Sequence, residues 1–356
     1  MSVYWFTWIT TLVLALIIQG FDYDIDLQLT TYRRIHSNDA TIVYVASAAL
    51  LILIAGCRYR VGADFSAYYN YQNYLDLVQA LKELDEPGIR LVYLIASKIH
   101  ASGQFCIFSV ALVTIGLELK VIYDNTDRIG LAIFLYVLTC WMGCFNAVRQ
   151  CLAISVFFYG YPYLRDREYL KYFLCVMLAF LCHRSAIVML LVVFIIHREV
   201  NINNTLTMIA SSVIILLSYD RLFRVMNVIM DNNVTGNEAY WSTAVNILRP
   251  LSKVIIAGLY LYIYSDKKKT DATNFYLNIT ILSAVIAVIT MKSAALSRMS
   301  MYTAPLSVMA NVELLKGVSD RNVEMVEYAV VFFYWVFAWF ECHHALFTFR
   351  HLQWFW

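Results

Sequence analysis

Charge is scarce in this chain. Asp, Glu, Lys and Arg make up 15% of its 356 residues, and 61% are hydrophobic, with a mean hydropathy of +0.63. A soluble protein of this length carries about 25% charged residues, so the shortage excludes a soluble domain. Proline and glycine are also few, at 4 and 12, which leaves little to break a helix. The net charge of +2 comes without a basic stripe or an RNA-binding motif, and nucleic acid is excluded as a partner. None of the 8 cysteines forms a C-x-x-C pair. Most lie in apolar runs, where a free thiol acts as a small hydrophobe. Cys140 and Cys144 share a helix face, but two ligands do not make a zinc site, and Cys342 beside His343 and His344 is read the same way. P-loop, G-x-S-x-G and H-E-x-x-H motifs are absent. No metal and no cofactor is expected.

What the chain has is apolar runs of spanning length. They fall near 3–20, 41–57, 105–122, 129–146, 148–164, 170–183, 185–197, 205–218, 249–265, 274–291, 299–316 and 324–346, which predicts roughly 11–12 transmembrane helices. In hydrocarbon the backbone must satisfy itself, so such runs are helical. The expected fold is all-α: one polytopic integral-membrane domain over 1–356, without internal repeats. The segment Val3 to Gln19 lacks a charged leader and a small-residue cleavage site, and reads as a retained span rather than a signal peptide. The 26 Tyr and 8 Trp suit lipid–water boundaries. Residues 170–197 hold His183-Arg184 at their centre. A charge at mid-bilayer costs at least about 2.5 kcal/mol, so two short helices with His183-Arg184 at the turn are expected.

With the N-terminus outside, loops bearing Arg165, Arg167 and Lys171, then Lys267-Lys268-Lys269, then Lys316 and Arg321, face the cytoplasm, as the positive-inside rule requires. Most lysines follow that rule, whereas most arginines gather at the opposite face. An excess of outer arginine suggests that an anion is held there. Two long outer-face loops follow from this topology, 58–104 and 219–248. The first is rich in Tyr (Tyr68, Tyr69, Tyr71, Tyr74) and weakly amphipathic. Such loops suit a carbohydrate or helices lying on the membrane. The second contains Asp231-Asn232-Asn233. Asp22-Tyr23-Asp24-Ile25-Asp26 resembles the D-x-D of nucleotide-sugar enzymes, but it sits in a short predicted cytoplasmic loop and reads as a solvated acidic face.

Four edges converge in this topology. The first is Arg58, Arg60 and Asp64, ending the run Ala46 to Cys57. The others are Asn146 to Gln150, then His183-Arg184-Ser185, then Arg298 with Tyr302. Arginine presents a planar fork that matches phosphate oxygens. Arg149, in a tight bend between two apolar runs, needs an anionic partner. Asp64 or Glu86 would fill that need as an interhelical ion pair, and a lipid pyrophosphate would fill it as a ligand. His183 can accept a proton from a sugar hydroxyl, or it caps a helix.

The motifs R-x-R-V-G-x-D-x-x-x-Y (Arg58 to Tyr68), Glu86-Pro87-Gly88, F-N-x-V-R-Q (Phe145 to Gln150), H-x-S-A (His183 to Ala186) and S-R-M-S-M-Y (Arg298 in it) together resemble the EpsG family. These are Wzy-like bacterial polysaccharide polymerases. Ala63 departs from the usual Thr or Ser before the Asp, which removes a hydroxyl contact. The resemblance implies a GT-C-like membrane glycosyltransferase with amphipathic outer-face loop helices, in the bacterial inner membrane, with its active site toward the periplasm. It implies transfer of a growing glycan from undecaprenyl pyrophosphate to a lipid-linked repeat unit, without a metal. Membrane lipid surrounds it, and a flippase and a chain-length regulator are candidate partners. In that scheme Arg58, Arg60, Arg149 and Arg298 form a pyrophosphate clamp. His183 is the first-choice base and Asp64 the second. Gly62 lets the backbone approach a ligand closely, and Tyr68, Glu86, Asn146, Gln150 and Tyr302 bind substrate. A flippase of lipid-linked oligosaccharide would spread its basic groups through a cavity. A membrane O-acyltransferase would need an inner His/Asp set, which is not evident. An O-antigen ligase differs mainly in its acceptor.

Overall fold

The structure, a computed structural model, describes residues 2–22, 36–62, 64–70, 86–229, 243–318, 322–343 and 351–352. The acidic run after Asp22, Ala63, Tyr71, Tyr74, Asp231-Asn232-Asn233, Arg321, His344 and Arg350 lie outside the described residues. The chain is an all-α polytopic membrane protein. Among the described residues, five helices are long and apolar enough to cross a membrane: Ser2–Phe21, Asn38–Gly56, Gly103–Asn125, Asp271–Ile289 and Val323–Cys342. Shorter apolar helical stretches are Ile129–Thr139, Val148–Tyr159, Tyr169–Cys182 and Arg184–Ile196.

The chain divides into two compact units. The first comprises Met1–Leu190 and Glu327–Trp356. It holds α1 (Ser2–Asp22), α2 (Asn38–Gly56), strand β1 (Arg58–Tyr59), α3 (Phe65–Asn70), α4 (Pro87–Lys98), α5 (Gly103–Asn125), α6 (Ile129–Thr139), α7 (Val148–Tyr159), α8 (Tyr161–Arg165) and α9 (Tyr169–Cys182). Local chemistry sets the ends. Ser37 caps α2 by accepting the Ala40 N–H at 2.9 Å, satisfying one of the orphan donors of a first turn. Ile129 to Leu138 are all buried in α6; a helix apolar on every side belongs in a core. Gly130 lets α1 approach α6, because an added Cβ would stand 2.4 Å from the Ala15 carbonyl oxygen. In α5, buried Glu118 accepts the Tyr136 hydroxyl of α6 at 2.7 Å, so a polar pair inside the bundle satisfies itself.

The second unit, Leu191–Val326, holds α10 (Val193–Ile196), α11 (Ile202–Ile229), α12 (Leu248–Ile263), α13 (Asp271–Ile289), α14 (Ala294–Ser297) and α15 (Thr303–Leu315). Thr270 caps α13 through the Thr273 N–H at 3.1 Å. Buried amides and hydroxyls lock the unit together. Asn278 donates to the Ile196 and Arg198 carbonyls at 3.2 and 2.6 Å, Tyr260 donates to Asn311 Oδ1 at 2.9 Å, and Thr303 donates to Ser283 at 3.0 Å. The last helix, α16 (Val323–Cys342), belongs to the first unit from Glu327 onward. Glu327 there pairs with Arg128 at the start of α6, and Trp335 stacks edge-on against Trp5 of α1 with centroids 5.6 Å apart.

Three features differ from the sequence reading. The expected loop 219–248 begins as helix, because α11 continues to Ile229; Leu222, Val225, Met226 and Ile229 keep a helical period past the polar residues. The expected span 129–146 stops at Thr139, and the chain tightens into a 3-10 segment, Trp141–Phe145. Within the all-α architecture, β1 pairs antiparallel with β2 (His351–Leu352), in the register Arg58↔Leu352 and Tyr59↔His351.

Candidate functional site

The first unit brings four of the expected residues into one hydrogen-bonded chain. Arg149 Nε donates to the Tyr68 hydroxyl at 3.1 Å, and its Nη1 donates to Glu86 Oε2 at 2.6 Å. The other oxygen of that carboxylate, Oε1, lies 2.7 Å from His183 Nδ1. One carboxylate thus serves a guanidinium and an imidazole together.

Each member is presented by a distinct local device. Glu86 stands at the N-cap position of α4 with Pro87 behind it, yet its side chain makes no cap bond. It is spent on Arg149 and His183 instead. Gly88 makes that reach possible: a Cβ there would lie 2.7 Å from Cys182 Sγ and 3.0 Å from Cys182 Cα, so the start of α4 rests directly on the end of α9. His183 follows as the C-cap of α9, extended at φ −160°, ψ 125°. Its N–H bonds Ala179 O, and its carbonyl takes the Ala186 N–H, so the backbone is satisfied and the ring is released to Glu86. Arg149 lies in the first turn of α7, where the helix dipole disfavours a cation. The Glu86 carboxylate offsets that cost. Tyr68 belongs to α3, whose backbone is held by the Tyr93 hydroxyl donating to Tyr68 O at 2.8 Å.

The electrostatics follow from these contacts. Burial pushes the Glu86 carboxyl up, but the His183 hydrogen bond and the Arg149 charge outweigh it and hold the group below the usual carboxylate range. Glu86 therefore stays ionised near neutral pH. Burial raises the Tyr68 phenol, and Arg149 offsets only part of that, so Tyr68 is a neutral hydroxyl. The His183 side chain is 28% exposed and that of Arg149 34%, against 6% for Glu86. The buried carboxylate is covered while its two partners reach outward. His183 Nε2 and Arg149 Nη2 make no hydrogen bond among the described residues, which leaves them able to bind a ligand.

Other expected residues occupy different positions. Arg58, expected in a clamp, is 1% exposed. Its guanidinium donates to the Ala55 carbonyl at 2.5 Å and the Cys144 carbonyl at 3.4 Å, and lies over the Phe145 ring at 5.3 Å. Among the described residues its Nε is buried without a partner, and burial pushes the group down to about 10. Arg58 thus braces the Trp141–Phe145 segment from inside, because its forked donors can bridge carbonyls from two segments. Gly62 has φ +94°, and a Cβ on it would meet Phe145 O at 2.0 Å and Asn146 Oδ1 at 2.9 Å. Gly62 and Asn146 therefore interlock, so the close approach that Gly62 allows is to the chain's own Phe145–Asn146 bend, where the sequence reading expected a ligand. Asp64 is half-buried and near enough to influence Tyr68, but the carboxylate paired with Arg149 is Glu86. Gln150 is buried. Arg60 is exposed, over the Tyr59 ring at 5.2 Å. Arg298 and Tyr302 belong to the second unit, where Tyr302 is completely buried and packs rather than presents a face. Among the described residues, no three His, Cys, Asp or Glu side chains cluster to hold a metal.

The Glu86–His183 pairing carried no spacing signal, since the two residues lie far apart in sequence. The support from Tyr93 and from Gln104, which donates to the Gly56 and Arg58 carbonyls at 2.6 and 3.1 Å, was likewise invisible. Both are ordinary polar residues near apolar runs.

The profile of the EpsG family matches residues 41–354. The chain belongs to the EpsG family. The match takes in the whole Tyr68–Arg149–Glu86–His183 constellation, all of the second unit, and the first unit from residue 41 on, apart from its last two residues. Membership gives the protein a polymerase-like role in polysaccharide biosynthesis in general. No curated protein and no solved structure matches the chain.

Proposed function

We propose that this EpsG-family protein is a GT-C-like glycosyltransferase that polymerises lipid-linked repeat units at the outer face of the bacterial inner membrane. The donor is a growing glycan on undecaprenyl pyrophosphate, and the acceptor is the non-reducing end of a second lipid-linked repeat unit. The observation that carries this reading is one ionised carboxylate, Glu86, bonded to both His183 and Arg149.

The chemistry needs a base and an anion-stabilising group. A hydroxyl of the acceptor sugar attacks the anomeric carbon of the donor. The new glycosidic C–O bond forms as the anomeric C–O bond to the diphosphate breaks, and the lipid diphosphate departs with the electron pair. The hydroxyl proton passes to His183 Nε2. Glu86 fixes the tautomer by accepting Nδ1–H and stabilises the imidazolium that forms, as a buried carboxylate does beside a catalytic His. The remaining donors of Arg149 bear on the charge that develops on the diphosphate. Arg58 serves by fixing the segment that presents Arg149. No step requires a nucleotide sugar.

The test is incubation of purified protein with one lipid-linked repeat unit. Ladders of longer glycan with stoichiometric release of lipid diphosphate are expected. His183→Ala should lower turnover by about 10²–10⁴-fold, and Arg149→Ala by about 10²–10³-fold, with the single-unit substrate persisting. Translocation of the substrate without any new glycosidic bond would replace this reading with a flippase.

A further inference from the structure

The first unit also holds an aromatic cluster that the proposed reaction does not use. Tyr59 of β1 and Tyr69 of α3 meet edge-on with ring centroids 5.8 Å apart, and Phe65 sits under both, 5.6 Å from Tyr59 and 5.4 Å from Tyr69. Phe65 is buried, whereas Tyr59 and Tyr69 are half-buried and keep surface to offer. Tyr69 directly follows Tyr68 in α3, and the Tyr68 hydroxyl takes the Arg149 hydrogen bond, so one short helix carries a member of the cluster and a member of the site.

The cluster is held rigid from several sides. The Tyr93 hydroxyl anchors the Tyr68 carbonyl, and Gly103 lets α5 close on the Tyr69 carbonyl, where an added Cβ would stand 2.1 Å away. On the other side, β1 is fixed by its pairing with β2. Arg60 adds a cation. Its guanidinium lies over the Tyr59 ring, it is exposed, and among the described residues no carboxylate pairs with it. Its backbone is left-handed at φ +55°. A non-glycine residue in that region persists only where the surroundings enforce it, and such residues gather at ligand clamps.

We propose that Tyr59, Tyr69 and Arg60 form a sugar subsite that receives a glycan ring next to an anionic group. Rigid aromatic faces with polar hydroxyl ends suit the C–H faces and hydroxyls of a sugar, and an unpaired guanidinium suits phosphate or carboxylate oxygens. The anion is either the diphosphate of the lipid carrier or an acidic substituent on the sugar itself. The assignment rests on the glycan-polymerase reading above.

The test uses full-length protein and its own repeat unit on undecaprenyl pyrophosphate, extracted from cells lacking the polymerase. Tyr59→Leu and Tyr69→Leu keep bulk but lose the aromatic face. Each is expected to raise KM for the lipid-linked unit about tenfold while kcat stays within about twofold, and Tyr59→Phe and Tyr69→Phe should restore KM. Wild-type KM in both Leu variants overturns the subsite, as does a fall confined to kcat. Should a Leu variant fail to fold, the corresponding Phe variant decides: a KM raised like a deletion overturns stacking, and a normal KM with weakened competition by the released free oligosaccharide on adding bulk at Tyr59→Trp supports it. Arg60→Gln separates the two anions. Loss of inhibition by inorganic pyrophosphate assigns the lipid diphosphate. A raised KM with that inhibition intact assigns an acidic sugar. No change in either overturns the role of Arg60. If the wild-type protein makes no polymer at all, the polymerase reading falls, an outcome distinct from any of these.

Discussion

Glu86 is the residue on which the site turns. It is 6% exposed, bears a full charge, and has two partners. Its carboxyl is held below the ordinary value of 4.5, so its contribution to stability is complete above that pH. The contribution is lost as pH falls through the lower, folded value. Thermal unfolding in detergent should therefore show a stability loss on acidification below about pH 4.5 that Glu86→Gln abolishes, leaving a variant less stable at neutral pH by about 2 kcal/mol. A slope unchanged in the variant would mean that other carboxylates carry it. Arg58 is the opposite case. It bridges two backbone carbonyls and is 1% exposed, so Arg58→Lys should lower the unfolding temperature and the activity together, at a cost of about 1–3 kcal/mol for the carbonyl left bare. A loss of activity at full stability would return Arg58 to the substrate. From sequence, an arginine ending an apolar run reads the same whether it meets lipid headgroups or turns inward. The types of Tyr68, Glu86, Arg149 and His183 were legible as chemistry, and the inward turn of Arg58 was not.

Two glycines act at the scale of elements. Gly62 holds a left-handed conformation against the carbonyl of Phe145, and Gly88 seats α4 on Cys182. Gly62→Ala combines a strained φ with a backbone clash, and should unseat the Asn146 bend and cost about 1–3 kcal/mol or more; melting temperature and polymer yield should fall together. Gly88→Ala should push α4 away from His183. Turnover should then drop more than stability, and KM should change little, as measured on the lipid-linked unit. Helix positions were legible from apolar runs, because the bilayer leaves the backbone only one option. The break after Thr139 and the extension of α11 were less so. Both depend on packing and on amphipathic period rather than on mean apolarity. The pairing of β1 with β2 had no sequence signal, since two-residue strands carry no period.

At the scale of the molecule, orientation is the open geometric prediction. Single cysteines placed at exposed Ser66 and Thr270 should be labelled by an impermeant maleimide in opposite senses, Ser66 from outside and Thr270 only after permeabilisation. The native cysteines are buried apart from half-buried Cys140, so background is low. Outer labelling at Thr270 would overturn the loop assignment. The family was legible because its motifs are short and ordered along the chain; the two-unit division was not, because it reflects which helices pack together rather than any boundary in composition.

The second unit is an insertion in the first, whose closing helix is α16. Glu327 reaches Arg128 across 199 residues, and Trp335 reaches Trp5 across nearly the whole length of the chain. During synthesis at the membrane, α1 and α6 emerge long before their last neighbour. Their exposed flank must wait in lipid until the ribosome has delivered everything between. A nascent chain stalled before residue 327 would hold Tyr68, Glu86, Arg149 and His183 and still lack the helix that completes the first unit, a ready substrate for membrane quality-control proteolysis.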